Sequence, residues 1–158
     1  MKNIIAPAML GITLLTASFA SIAVTPAKSE KHAGDAIEYR QAILQLVKSN
    51  VGIMGAMAKG QVPLSAETLE KNASRIEQLS LMMDDYFSVD TSKFSVETEA
   101  LPAIWKDYSD FQTKITALTE AASNLKMAAA SGDEGQLKAN IGAIFKSCKG
   151  CHDSYKAE

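Results

Sequence analysis

Near the C-terminus, Cys148-Lys149-Gly150-Cys151-His152 sets two thiols and one imidazole at a spacing that can do chemistry. On a helix, positions i, i+3 and i+4 share a face, so Cys148, Cys151 and His152 would reach the same object. Each thiol can add to a vinyl group of a porphyrin while the imidazole ligates the iron, and C-x-x-C-H is the pattern of c-type haem attachment. Other uses of the motif fit less well. A tetrahedral zinc site draws on four Cys, His or carboxylate ligands. This chain has two Cys and two His, with His32 far away. A thioredoxin-type C-x-x-C opens a helix in a βαβ unit, which a helical chain with the motif at its end does not supply. A plain disulfide would leave His152 without a part. The expectation is one haem c, covalent through Cys148 and Cys151, with His152 as iron ligand.

The elements that must position this motif read as helices. Residues 32–59 repeat Ala36, Arg40, Ile43, Leu44, Val47, Val51, Met54 and Ala58 on one face, until Gly60 and Pro63 stop the pattern. A second helix opens at Ser65, a good N-cap, turns Leu69, Ala73, Ile76, Leu79 and Met83 inward, and loses its period near Phe87. Residues 88–100 are polar and aperiodic, hence a loop. A third helix starts with Pro102 in its first turn and carries Leu101, Ile104, Tyr108, Phe111, Ile115, Leu118, Ala122, Leu125 and Ala129. After Ser131-Gly132-Asp133, the last helix aligns Leu137, Ile141, Ile144, Cys148, Cys151 and Tyr155. Helices of about 20 residues joined by short connections predict an all-α, antiparallel up-down-up-down four-helix bundle.

Composition agrees with a single domain: 158 residues, 47% of them apolar and 22% charged. The formal charge of −2 and the lack of a Lys/Arg cluster argue against nucleic acid or an anionic membrane as partner. Lys2 precedes an apolar run that ends in small residues around Ser18-Phe19-Ala20 and Ser21-Ile22-Ala23. Residues 1–23 therefore read as a secretory signal, cut between about 20 and 27, with residues 24–158 as the bundle domain. After cleavage no membrane insertion is expected, and the destination is an oxidising compartment, the periplasm.

With these features the chain resembles the cytochrome c prime family. The likeness rests on Tyr39-Arg40-Gln41, Lys59-Gly60-Gln61-Val62-Pro63, Pro102-Ala103-Ile104-Trp105 and the stretch from Cys148 to Lys156. It implies exported four-helix bundles, commonly homodimeric, with haem c near the C-terminus. By resemblance, Arg40 and Gln41 lie beside the haem and its propionates. Arg40 also interrupts an apolar stripe, where an unpaired cation is costly and an anionic propionate would satisfy it, unless the side chain snorkels. Leu44, one turn on, falls where low-spin relatives place a ligating methionine and high-spin members a non-ligand. The iron should then be five-coordinate, open to NO or CO. By the same resemblance Lys156 lies near the proximal imidazole, though a cation offsetting the helix dipole is the other reading. Glu99 falls in a loop that approaches the haem edge in relatives. The tryptophan that some relatives carry in the second helix is missing, leaving that wall of the pocket unassigned. Two function classes follow: a high-spin cytochrome that binds gas, passes electrons to a redox partner of unknown identity, or both, without substrate turnover; and a low-spin electron carrier with a methionine such as Met54 on iron. A haem-free structural bundle is the third, and needs the motif to be accidental.

Overall fold

The computed structural model describes residues 23–158. Apart from Ala23, the segment read as a secretory signal lies outside the described residues. Four long helices form the bundle: α1 (Glu30–Ala58), α2 (Ala66–Phe87), α4 (Tyr108–Ser131) and α5 (Glu134–Tyr155). A single turn, α3 (Ala103–Lys106), precedes α4. Two two-residue strands, β1 (Thr25–Pro26) and β2 (Val89–Asp90), pair in parallel. Among the described residues no helix is long and apolar enough to cross a membrane.

The helix starts follow from their side chains. Ser29, Ser65, Asp107 and Asp133 each accept a hydrogen bond from a first-turn backbone N–H, those of His32, Thr68, Asp110 and Gln136. Each cap satisfies a donor that the helix cannot, worth about 1 kcal/mol. Gly132 ends α4 with φ +72°, a left-handed conformation that a Cβ would strain.

The structure departs from the sequence reading in two places. The third helix is not continuous: Asp107 leaves helical geometry at φ −136°, ψ 72° and caps α4 with its carboxylate. A residue that prefers to bond nearby N–H groups thus overrides an unbroken apolar period. The polar loop after α2 also contains β2. The Thr25 N–H donates to Ser88 O at 2.9 Å and the Ala27 N–H to Asp90 O at 2.8 Å, so the start of the domain is tied to the end of α2.

Met54 of α1, Leu69 and Ile76 of α2, Leu125 of α4, and Leu137, Ile141 and Ile144 of α5 are all essentially inaccessible and fill the core. Ser80 of α2 and Thr119 of α4 share a hydrogen bond at 2.8 Å. Between α1 and α5 an open cleft of about 2010 Å³ runs along α1 from Ile37 to Lys59. The short α3 is tied to the end of α2, where Trp105 Nε1 donates to Phe87 O at 2.8 Å.

Candidate haem site

Because α5 is regular through Tyr155, the predicted spacing holds: Cys148, Cys151 and His152 all line the cleft. Both cysteines are free thiols, half-buried against the apolar core. Burial raises the Cys148 thiol above its ordinary value, and burial followed by the neighbouring Cys148 pushes Cys151 up to about 11. His152 is exposed to the cleft. The floor is built by α4 through Phe111, Lys114, Ile115 and Leu118. The wall left unassigned for want of a tryptophan is formed by Met83 and Phe87 of α2.

Arg40 is the most informative residue opposite the motif. It is 3% exposed. Its Nε donates to Ala36 O at 3.1 Å and Nη2 to Thr91 Oγ1 at 2.9 Å. The guanidinium lies 5.5 Å from the centre of the Phe87 ring and 5.2 Å from that of Trp105. Nη1 is buried with no hydrogen-bond partner. The side chain therefore does not snorkel; it is held in place with one donor unspent. Desolvation, only partly offset by Asp90, lowers its pKa to about 10. A fixed, desolvated cation with an orphaned donor at the cleft is what a carboxylate-bearing macrocycle requires, so the residues present fit haem.

The remaining predicted residues divide. Gln41 and Leu44 line the cleft and are exposed to it, Leu44 by 43%. Leu44 therefore faces the cleft and is not part of the buried core. Glu99 and Lys156 both sit on the rim, joined by an ion pair at 3.1 Å. Lys156 is no longer helical: the helix ends at Tyr155, and Lys156 turns extended and bridges to Ala100. As the cap, its backbone N–H still donates to His152 O at 3.2 Å, while the Leu101 N–H donates to Tyr155 O and the Ala157 N–H to Glu99 O, stitching the loop to this end of the helix. His32 belongs to the start of α1, its Nδ1 accepting from the Lys28 N–H at 3.1 Å, and is not among the cleft residues.

Sequence reasoning missed Thr91, Trp105 and Phe87 as the frame of Arg40. Thr91 stands 51 residues from Arg40 in a polar loop and carried no signal. Trp105, quoted above only as part of a family likeness, anchors α3 by one edge while its face carries the guanidinium.

This frame gives a prediction with a change of sign. In the haem-free chain Arg40→Met should stabilise the fold by about 1–2 kcal/mol, because an apolar residue replaces an incompletely paired buried charge. In the haem-loaded protein the same substitution should destabilise by about 2–3 kcal/mol, as a buried anion loses its partner. Denaturant unfolding of both forms checks it, and equal signs would remove Arg40 from the haem site. With the folded pKa below the unfolded one, the haem-free penalty is complete below pH 10. It is relieved as pH rises above about 10 toward the ordinary guanidinium value, so stability climbs there.

A four-helix bundle with C-x-x-C-H on its last helix, facing an internal cleft beside a fixed arginine, defines a c-type haem protein of the bundle class. The family model described as Cytochrome C' matches residues 35–156, and the chain belongs to that family. A curated cytochrome c' from Rubrivivax gelatinosus is 37% identical over 123 residues, covering 78% of this chain and 95% of that one. The solved cytochrome c prime from Shewanella frigidimarina superposes with a TM-score of 0.74 at 41% identity, covering 80% of this chain and 97% of that chain. A ferrous variant of the Alcaligenes xylosoxidans protein with bound NO aligns at 35% identity and TM-score 0.70, covering 80% and 96%. The chain therefore binds haem c through its two cysteines, Cys148 and Cys151.

Proposed function

We propose that this protein is an exported, high-spin cytochrome in which His152 is the one protein ligand to iron, and that NO or CO binds on the opposite side, against Leu44. Bound haem supplies an iron that changes oxidation state and accepts a diatomic ligand. Arg40 and Gln41 hold its carboxylate edge, Leu44 crowds the open side, and Lys156 with Glu99 closes the rim.

The observation that carries this reading is the lining of α1. Its cleft residues, among them Arg40, Gln41, Leu44, Val47 and Val51, contain no His, Met, Cys or Tyr, the side chains that commonly ligate haem iron. Met54, the methionine of the low-spin alternative, is 0% exposed in the core and is not among the cleft residues. One second reading has an observation behind it: Met83 borders the cleft from α2, and its thioether could close the sixth position. NO complexes of the Alcaligenes xylosoxidans relative support gas binding.

Export fits the architecture if the signal is cut before Val24, because Val24 packs on the core and Thr25–Pro26 forms β1. A homodimer, implied by the family, has apolar surface available in the exposed Tyr39 and Leu46 of α1 and Leu81 and Met82 of α2. Absorption spectra of the purified haem protein test the central claim. Ferric and ferrous high-spin bands, the latter shifted by CO, are expected. Low-spin bands indifferent to CO would overturn it, and their loss in Met83→Leu would assign the ligand. The intact mass and light scattering of the same sample report the cleavage point and the dimer.

A further inference from the structure

The direction in which Arg40 points is set by a contact outside its own helix. Its Nε bonds to Ala36 O one turn back on α1, and the Phe87 and Trp105 rings confine the guanidinium plane without offering an acceptor. The contact made by Nη2, to Thr91 Oγ1 at 2.9 Å, is the one that reaches another segment. A guanidinium is planar, so holding Nε and Nη2 also aims the unpartnered Nη1.

Thr91 is in turn held by the start of the domain. The Ala27 N–H donates to Asp90 O at 2.8 Å and the Thr25 N–H to Ser88 O at 2.9 Å, so the residue beside Thr91 is pinned by the strand pair. Asp90 is also the charge that partly offsets the desolvation of Arg40. The segment's own bonds, from Ser92 N–H to Asp90 Oδ1 and from Phe94 N–H to Thr91 O, only close local turns. Val24 packs on the core and Ala27 is buried, which anchors the strand at both ends. None of residues 24–27 is among the cleft residues.

We propose that Val24–Ala27 is a strap that positions Arg40 for the haem carboxylates, acting through Asp90 and Thr91. This rests on the reading that Arg40 holds the carboxylate edge, and it extends that grip to residues that touch neither the cleft nor the arginine. With the strap loosened, Thr91 no longer stays in place, and the long Arg40 side chain turns its charge toward water.

The midpoint potential of the purified haem protein tests the strap. A cation fixed beside the haem favours the form with one more electron. Arg40→Met should therefore lower the ferrous-to-ferric ratio at a set potential about tenfold, a fall of about 59 mV for one electron. Ala27→Pro deletes the N–H that bonds Asp90 O, and Thr91→Val deletes the acceptor for Nη2. Each should lower the ratio about threefold in the parent and leave it unchanged in the Arg40→Met background, where no charge remains to be misplaced. No shift from Ala27→Pro in the parent, or the same shift in both backgrounds, would overturn the strap, because a segment serving only the fold behaves in one of those two ways. If Ala27→Pro does not fold, Thr25→Pro removes the bond to Ser88 O at an exposed residue and is held to the same pattern. An Arg40→Met protein with the parent potential would instead remove the reading of Arg40, and the strap with it.

Discussion

Replacing Cys148 and Cys151 together by alanine should yield a chain with no covalent haem: acid-acetone should extract whatever remains, and a denaturing gel stained for haem peroxidase should show no band. Both thiols open into the cleft from one face of α5, so each can reach the same porphyrin. Without them, haem would be retained only by non-covalent contacts such as those of His152 and Arg40, and would exchange with its surroundings. The fold should pay as well. A group that binds only the native state stabilises it by about 2.7 kcal/mol at a hundredfold excess over its dissociation constant, and a covalent link is equivalent to a larger excess. The seam between α1 and α5, along which the cleft runs, should loosen first, since the core among Leu69, Ile76, Leu125 and Ile141 is packed by its own leucines and isoleucines. Peroxidase staining that persisted at the position of the double variant would falsify the attachment.

The second large effect is expected at Leu44. Leu44→Ala should speed CO association by about a hundredfold, corresponding to roughly 2.7 kcal/mol of relieved crowding. Leu44 is 43% exposed into the cleft, so the change should cost about 1 kcal/mol or less of stability, far from the 2–5 typical of a core leucine. Affinity should rise too, because crowding acts on the bound ligand. Leu44→Met offers a thioether from the same position and should convert the iron to a low-spin form that no longer responds to CO. Photolysis kinetics and spectra read both variants, and an alanine variant with the parent CO rate would place Leu44 outside the ligand's space.

Much of this site was legible because it is local. C-x-x-C-H needs only a helix to bring its three groups together, and the apolar period of residues 134–155 already specified one. Ser65 and the Ser131-Gly132-Asp133 break marked helix ends by side-chain chemistry that acts within a few residues. Arg40 was visible as a charge on an apolar stripe. Its frame was not, since Thr91, Phe87 and Trp105 come from three other segments. Lys156 keeps its spacing from His152 through the capping backbone N–H, but its ion pair with Glu99 joins it to a loop that no helical period reaches.

The sequence by itself determined haem attachment at Cys148 and Cys151 and the four long helices, because both are written in spacings shorter than two helical turns. Only the tertiary structure decided that Leu44 faces the cleft and Met54 the core, though both lie on one periodic stripe. Leu44 falls with Lys48, Gly52 and Gly55 on the flank that lines the cleft, whereas Met54 falls with the buried Ile43, Asn50 and Met57, and which flank meets a neighbouring helix is set by the packing of the whole bundle, to which no single segment's period refers.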